Sequence, residues 1–521
     1  FKCIRATFGV TSGKWYWEAR TINMADSFIG VMGFADKVKA VRGGDEVESI
    51  MFRQNNGDAR SFGNTYGWGQ SGGYASSGDI LMFALDMDNG LMYIGKNGSW
   101  FKSANPVNGT GFANYTSAEQ YRLRKRTLPA VGLYDNRSCQ MNFGQDDTFE
   151  GAISSAGNTD SNGEGVFKYT PPTGFLALCS KNLPDPAVKN GNKYHGTLTW
   201  TGNSTANRTI SDTTIVDFTP DWVWVKCRTA SHDHQVTDAV RGTSKALRSN
   251  GTDEEIDWDV LYSGNNKGMG DYVNGGFILD DNGNNARYNA NGQNYVGWTW
   301  FAGNSTVTNS NGQISTQVRV DQTSGFAICT WTGDGQNPRT IGHGLGVAPN
   351  FCFIKRRDAG GQNWIAGSFD EESARELNTG NGFSTGDYDA FFPSQPTSTV
   401  VSLSGNDNCN RNGATYVGYF FAHVDGHIDH GVYTGNGASN GTFVNLGFRP
   451  AWVIYKRFDS SDDGWYIQDV TRSPENVTRV SHNASSNSNE SGENIGDICS
   501  SGFKIRIGGN GNFNANNAKY I

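Results

Sequence analysis

Pro220-Asp221-Trp222-Val223-Trp224-Val225-Lys226 has the pattern of a short apolar strand set between a Pro and a Lys. The same frame returns at Pro349–Lys355 around Phe351-Cys352-Phe353-Ile354, and at Pro450–Lys456 around Trp452-Val453-Ile454-Tyr455. Ahead of each strand stands an aromatic-Thr-Gly-Asn/Asp step: Trp200-Thr201-Gly202-Asn203, Trp331-Thr332-Gly333-Asp334 and Tyr433-Thr434-Gly435-Asn436. Behind each comes a closing Tyr-Val/Ile strand at Tyr295-Val296, Tyr416-Val417 and Tyr520-Ile521, 75, 67 and 70 residues after the Pro. Three ordered signals at such similar spacing mark an internal repeat. The apolar runs are continuous rather than alternating, which predicts strands buried on both faces. Three homologous β-sandwich modules are therefore expected, at 191–305, 324–426 and 427–521, the last ending at the start of its closing strand.

Composition agrees with an all-β chain. Among 521 residues there are 68 Gly and only 13 Pro, with 18% charged and 12% aromatic side chains. Gly and Asn supply the positive-φ positions of tight turns, and the aromatic content is too high for disorder. Helical signal is confined to Glu371–Leu377 and the stretch near Lys245-Ala246-Leu247, each read as a turn or two. Net charge is −8, so nucleic acid is not an expected partner. No apolar run reaches the length that spans a membrane as a helix. The eight Cys are spread singly, several inside apolar runs, and read as buried free thiols made in a reducing compartment. The chain begins at Phe1 and stops within a strand, so it is expected to be a piece of a longer polypeptide.

Residues 1–148 read as alternating strands, with Asp86-Met87-Asp88-Asn89-Gly90 as a hairpin turn. Asp86, Asp88 and Asn89 imitate a calcium loop, but strands flank them and Asn97 stands where an EF-hand needs its bidentate Glu. Ser12-Gly13-Lys14-Trp15-Tyr16-Trp17-Glu18, Asp79 through Asn97-Gly98, and Leu128-Pro129-Ala130-Val131 with Asn142-Phe143-Gly144 follow one another here. This series resembles the SPRY domain in its phage-encoded version. The resemblance implies a bent, concanavalin-like two-sheet β-sandwich that binds proteins or glycans through loops, with its first strand missing or cut short. A connecting segment, 149–190, follows. The whole layout, a SPRY-like domain and then Pro-x-Trp-Val-x-x-Lys modules, resembles uncharacterised structural proteins of tailed phages. It implies a tail fibre, tailspike or other virion appendage.

The search for chemistry returns few candidates. His423, His427 and His430, with Asp425 and Asp429, are the densest group of metal-ligating types, set against a solvated module junction as the plainer reading. His232 and His234 would share a strand face. Asp238-x-x-Arg241 and Asp469-x-x-Arg472 read as loop-fixing ion pairs, and the Lys after each repeated strand as a charge reaching for water. Asp280-Asp281 and Asp462-Asp463 lie in turn-like sequence. No reactive-Cys signature and no phosphate loop stands out, so no enzyme activity and no cofactor are expected. Tyr66, Trp68 and Tyr74 lie in a Gly-rich stretch as candidate binding aromatics. For Trp68, a platform for a sugar ring and a cover for a sheet edge are both open.

These readings combine into a non-enzymatic virion protein, made in the host cytoplasm and displayed outward. It would bind other virion proteins and a host-surface polymer or receptor, with a homotrimer expected by analogy with fibres. A capsid-decorating spacer and a polysaccharide depolymerase are the alternatives. The Asn-x-Ser/Thr sites at Asn203, Asn207 and Asn304 follow from an Asn- and Thr-rich composition.

Overall fold

Alternation hidden inside the apolar runs sets the layers of this molecule. The structure, a computed structural model, describes the chain apart from residues 1, 7–8, 25, 34–48, 54–57, 62–63, 68–74, 112–126, 183–186, 262–267, 282–284, 383–384 and 461–462. It divides into two units, residues 1–185 and 186–521. Among the described residues no helix is long and apolar enough to cross a membrane.

The first unit is a two-sheet β-sandwich. One sheet runs in the order Lys2–Arg5, Thr127–Leu133, Phe28–Gly33, Ser49–Arg53, Asp58–Ser61, Asn64–Gly67. The other runs Ser138–Asn142, Lys14–Asn23, Ile80–Asp86, Leu91–Lys96, Ser99–Trp100, with Leu176–Ala177 pairing parallel to Lys14–Asn23. Strand Ile80–Asp86 is buried along its whole length. Leu81, Phe83 and Leu85 face the core between the sheets with Trp17, Val31 and Ile50. Met82 and Ala84 face outward, where Phe167, Phe175 and Ala177 cover them. The segment expected to connect thus packs as a third layer, and Glu18 shows why. This fully buried carboxylate accepts hydrogen bonds from the Lys168 and Tyr169 amides and the Tyr16 hydroxyl, at 2.9, 2.8 and 2.9 Å. A buried carboxylate needs such donors. Burial still raises its pKa, against the lowering by those donors.

In the second unit, residues 191–305 form a six-stranded sheet ordered His195–Thr201, Asn294–Trp300, Trp222–Cys227, Gln235–Asp238, Gly242–Leu247, Ile256–Asp257, backed by the small sheet Arg208–Ser211, Gly276–Leu279, Met269–Val273. The next segment repeats this plan. Phe326–Thr332, Thr415–Phe421, Phe351–Arg356, Ile365–Ser368 and Ser373–Glu376 continue a sheet begun by Val307–Asn309 and Thr316–Asp321, and Arg339–Gly342 with Val400–Leu403 backs it. In residues 427–521, Trp452–Lys456 pairs with Trp465–Asp469 at one end of a six-stranded sheet, and Tyr433–Thr434 pairs with Lys519–Tyr520.

The two stretches read above as helical turns are strand instead, Gly242–Leu247 and Ser373–Glu376, each laddered to a neighbour. Sheet pairing outweighs the local helix preference of residues such as Glu, Ala and Leu. Short helices occur at Trp258–Leu261 and Thr385–Phe391.

Each repeated strand divides its side chains between two cores. Val223, Val225 and Cys227 pack inside their own sandwich, while Trp222 and Trp224 face out of it. In the second copy Cys352 and Ile354 point inward, and Phe351 and Phe353 point out. The outward residues of all three segments meet in one aromatic core, which also takes in Trp298, Trp300, Phe326, Trp364, Tyr419 and Trp465. At its middle the Trp222 ring stacks on Tyr419 at 4.7 Å and lies 4.3 Å from Trp300 and 5.4 Å from Phe326. The continuous apolar runs are therefore explained by two cores, one private and one shared. Replacing Trp222 by Ala is expected to destabilise the second unit by about 3–5 kcal/mol. A fall in the denaturant midpoint, with loss of the near-ultraviolet dichroism of the clustered rings, would report it.

Candidate functional site

The groups that the sequence offers as chemistry lie mainly along the seams around the shared core. Lys226, Lys355 and Lys456 are fully buried, not reaching for water as expected from the sequence. Each ammonium donates to backbone carbonyls, and one of these always belongs to another segment. Lys226 Nζ bonds the carbonyl of Asn487 at 3.2 Å, Lys355 that of Thr252 at 3.2 Å, and Lys456 that of Gly380 at 2.7 Å. Each also bonds a carbonyl of its own segment: Cys227, Gln362 and Asp463 respectively. The contacts run first to third, second to first and third to second, so the three segments close a ring. The second face of each strand is covered by a neighbouring segment, so carbonyl oxygens replace water around each ammonium. Burial lowers the pKa of Lys226 and Lys355 to about 8, which leaves both mostly protonated at neutral pH.

Ring nitrogens repeat the same circuit. His234 Nε2 meets the Asn483 carbonyl at 3.1 Å, Trp364 Nε1 donates to that of Arg248 at 2.8 Å, and Trp465 Nε1 to that of Glu376 at 3.3 Å. The Asp-x-x-Arg pairs form and extend across two of the seams. Arg241 Nε bonds Asp238 at 2.5 Å, and Asp238 accepts from the Tyr419 hydroxyl of the second segment at 2.7 Å. Arg472 Nε bonds Asp469 at 2.5 Å, and Asp469 accepts from Trp298 Nε1 of the first segment at 2.9 Å. A carboxylate then ties each arginine to a second one across the seam. Glu255 joins Arg241 and Arg357, and Glu490 joins Arg472 and Arg228. Burial would raise the Glu255 pKa, but Arg357 and Arg241 hold it below the usual value. At the remaining seam Arg457 turns to Asp459 and Asp463 of its own segment.

The histidine cluster does not converge on a metal site. His423 lies between Asp429 and Asp425, 3.1 and 3.0 Å from its two ring nitrogens. Burial would lower its pKa, but the two carboxylates raise it to about 9. His427 packs 5.6 Å from the Tyr194 ring, and burial pushes it down to about 4. His430 lies 5.1 Å from the Phe351 ring, with Asp370 3.6 Å away. Among the described residues no group of three or more His, Cys, Asp or Glu is placed to hold a metal ion. His232 and His234 also part company: His232 is half-buried, while His234 is buried and accepts from Trp224 Nε1 at 2.9 Å.

Other candidates are structural or beyond description. Asp86 pairs with Lys14 and accepts from the Asn89 amide, while Asp88 accepts from that of Gly13, as a hairpin turn requires. Asp281 is buried and accepts from the Asn285 and Asn289 amides. Asp463 lends its carbonyl to Lys456, and Asp462 lies outside the described residues. Cys227, Cys329, Cys352 and Cys409 are buried free thiols, burial raising Cys409 to about 12, whereas Cys139, Cys179 and Cys499 are free but only half-buried, a departure from the expected burial. Tyr66 falls in strand Asn64–Gly67, its side chain not described, and Trp68 and Tyr74 lie outside the described residues.

The sequence reading passed over one recurrent residue. Asn289, Asn410 and Asn514 are each fully buried, and their Oδ1 atoms accept from the amides of Asn203, Asp334 and Asn436 in the aromatic-Thr-Gly-Asn/Asp steps. Six residues further on, Tyr295, Tyr416 and Tyr520 stack on Trp200, Trp331 and Tyr433 at 5.4, 5.5 and 4.9 Å. The intervening Gly has no alternative. A Cβ on Gly202, Gly333 or Gly435 would stand 2.1, 2.4 and 2.4 Å from the carbonyl oxygens of Ala290, Arg411 and Ala515. An Asn six positions before each closing Tyr was the available signal.

Two outcomes follow from the seams. Lys355→Met leaves the carbonyls of Thr252 and Gln362 without their donor, and is expected to cost about 1–3 kcal/mol in denaturant unfolding. The second outcome concerns pH. Burial holds His195 at about 3 and His427 at about 4, and depresses His234 and His482 well below the ordinary 6.5. At these four sites the unfolded chain therefore binds more protons than the folded one below pH 6.5. Their contribution to stability is full above that pH and is lost towards pH 4, by up to about 1.4 kcal/mol per pH unit for each histidine. Melting temperature against pH reads this out, and His195→Leu should flatten the slope.

No curated protein matches the chain. Among solved structures it is similar to the SPRY domain of human HERC1, at 19% identity over 27% of this chain and 80% of that one, with a TM-score of 0.19. It is also similar to the PSpry domain of TRIM65, at 15% identity over 27% of this chain and 70% of that one, with a TM-score of 0.20. A family model described as a domain of unknown function, DUF7483, matches residues 190–521, well over half of the sequence, and the chain belongs to that family.

Proposed function

We propose that this chain is a non-enzymatic structural and binding protein of a virus particle, a tail fibre or surface appendage. In this reading it faces outward on the virion, is anchored by other virion proteins, and holds a host-surface polymer or receptor through its loops. The observation that carries the reading is the use made of the buried charged groups. Lys226, Lys355, Lys456, Arg241 and Arg472 are all engaged in joining one segment to the next. Such a body is a rigid carrier for surface loops, and loops on rigid sheets are where recognition concentrates. The resemblance of residues 1–148 to phage-encoded SPRY domains gives the direction of the proposal. Buried free thiols suit synthesis in a host cytoplasm.

We read the three segments as homologous modules. Supporting this are the repeated stacking of the closing Tyr on the opening aromatic and the repeated Asn that joins them. A ring of three modules gives one chain the threefold order that fibres build from three chains, so this order does not depend on the homotrimer expected by analogy.

A glycan array probed with the labelled full-length chain, followed by chromatography of the bound polymer, separates the readings. Binding to a bacterial surface polysaccharide whose length stays unchanged is expected. Shortened polymer would establish a depolymerase, and a chain that binds virion proteins but no glycan or cell surface would be a spacer.

A further inference from the structure

A surface cavity of about 510 Å³ opens where the start of the first segment meets the strand that begins the second sheet. Its volume falls within the range of small-ligand sites. The walls are held in place before any ligand arrives. The Phe301 amide donates to the Tyr194 carbonyl at 2.9 Å, and the Asp217 amide to that of Asn192 at 2.7 Å. Arg319 fixes the far wall, with its Nε 2.6 Å from the buried Asp221 carboxylate and 3.0 Å from the Gly303 carbonyl.

The lining combines flat apolar faces with side chains that give and accept hydrogen bonds. Tyr194 and Phe301 present rings 6.2 Å apart, and Phe218 backs Phe301 at 5.9 Å. Around them stand Lys193, Asp217 and Asn304, all exposed. An apolar ligand would strip water from Asp217 and Asn304 without replacing its hydrogen bonds, which is costly. A simple ion would make no use of the rings. A pyranose matches both parts of the lining: its C–H face lies on an aromatic ring, and its hydroxyls both donate and accept. Charge narrows the class further. Arg319 is balanced by Asp221, and Lys193 and Asp217 both line the cavity, so the lining carries no surplus charge for a sugar acid.

We infer that this cavity binds a neutral hexose unit of a glycan, an inference that rests on the attachment role proposed above and names its ligand class. Tyr194 and Phe301 supply the stacking surface, Asp217 and Asn304 the hydroxyl partners.

The test is saturation-transfer NMR on the full chain with the methyl glycosides of glucose, galactose and mannose, and with methyl glucuronide as the charged comparison. Transfer to ring C–H protons of at least one neutral hexoside is expected, with little to the glucuronide. Asp217→Ala with Asn304→Ala changes only exposed side chains, so melting temperature should hold while affinity falls about tenfold, the equivalent of one lost contact of about 1.4 kcal/mol. Tyr194→Ala should weaken binding similarly. No transfer from any neutral hexoside, a preference for the glucuronide, or transfer indifferent to these substitutions would overturn the assignment. Glycan-array binding that survives the double substitution would overturn this cavity as the site and leave the attachment role standing. Hexoside binding here by a chain that ignores every array glycan would uphold the cavity and end the attachment role.

Discussion

The main sheets of the first two segments have two apolar faces each and one small backing sheet of their own, and the burial of the leftover faces, together with those of the third segment, governs the second unit. A sandwich solves half of the problem, placing Val223, Val225, Cys352 and Ile354 against a small second sheet. The other half cannot be solved by one segment, because Trp222, Trp224, Phe351 and Phe353 point the opposite way. At roughly 25 cal/mol for each Å² of apolar surface removed from water, leaving rings of this size exposed would cost several kcal/mol apiece. Turning three such faces towards one another covers all of them at once.

Aromatic surface fits in many orientations, so a shared core of rings does not by itself fix how the segments are rotated against one another. The polar seams do. An ammonium in an apolar interior is unfavourable unless carbonyl oxygens replace its water, and each of the three lysines finds such oxygens across a seam. A segment slipped by one residue would leave the charge buried without them. Buried ion pairs contribute little net stability compared with well-packed apolar groups, and specificity of register is the use that accounts for them here. The two Asp-x-x-Arg clasps, each reached by a ring from another segment, narrow the choice further.

How much of this was legible in the sequence depended on the range of the interaction concerned. The apolar strands between Pro and Lys, and the burial of Cys227 and Cys352 within or beside them, came from local pattern, since such a run reads the same in isolation as in the fold. The fate of the lysines was not local. Whether Lys226 meets water or the Asn487 carbonyl is decided by a segment some 260 residues away. Clustering in sequence misled in the other direction for His423, His427 and His430, whose rings face two carboxylates, a tyrosine and a phenylalanine respectively. Glu371–Leu377 has helical composition, yet Ser373–Glu376 within it ladders with Ile365–Ser368 as a strand. The cavity at Tyr194 and Phe301 had no linear signature, because its walls come from four separated stretches of chain.

Closure of the ring has a temporal side. Synthesis runs from the amino terminus, so the face carrying Trp222 and Trp224 emerges long before Trp465 and Ile467, which share its core. The contacts that cover it are among the longest-range in the molecule, and long-range contacts form late because loop closure precedes any gain from them. Until then the nascent chain carries an uncovered aromatic surface and unpaired strand edges, the features that make folding intermediates associate wrongly. Such a surface is of the kind that chaperones shield while the remaining segments are made. A premature stop within the third segment would leave a long, sticky product with a missing wall instead of a shorter working protein.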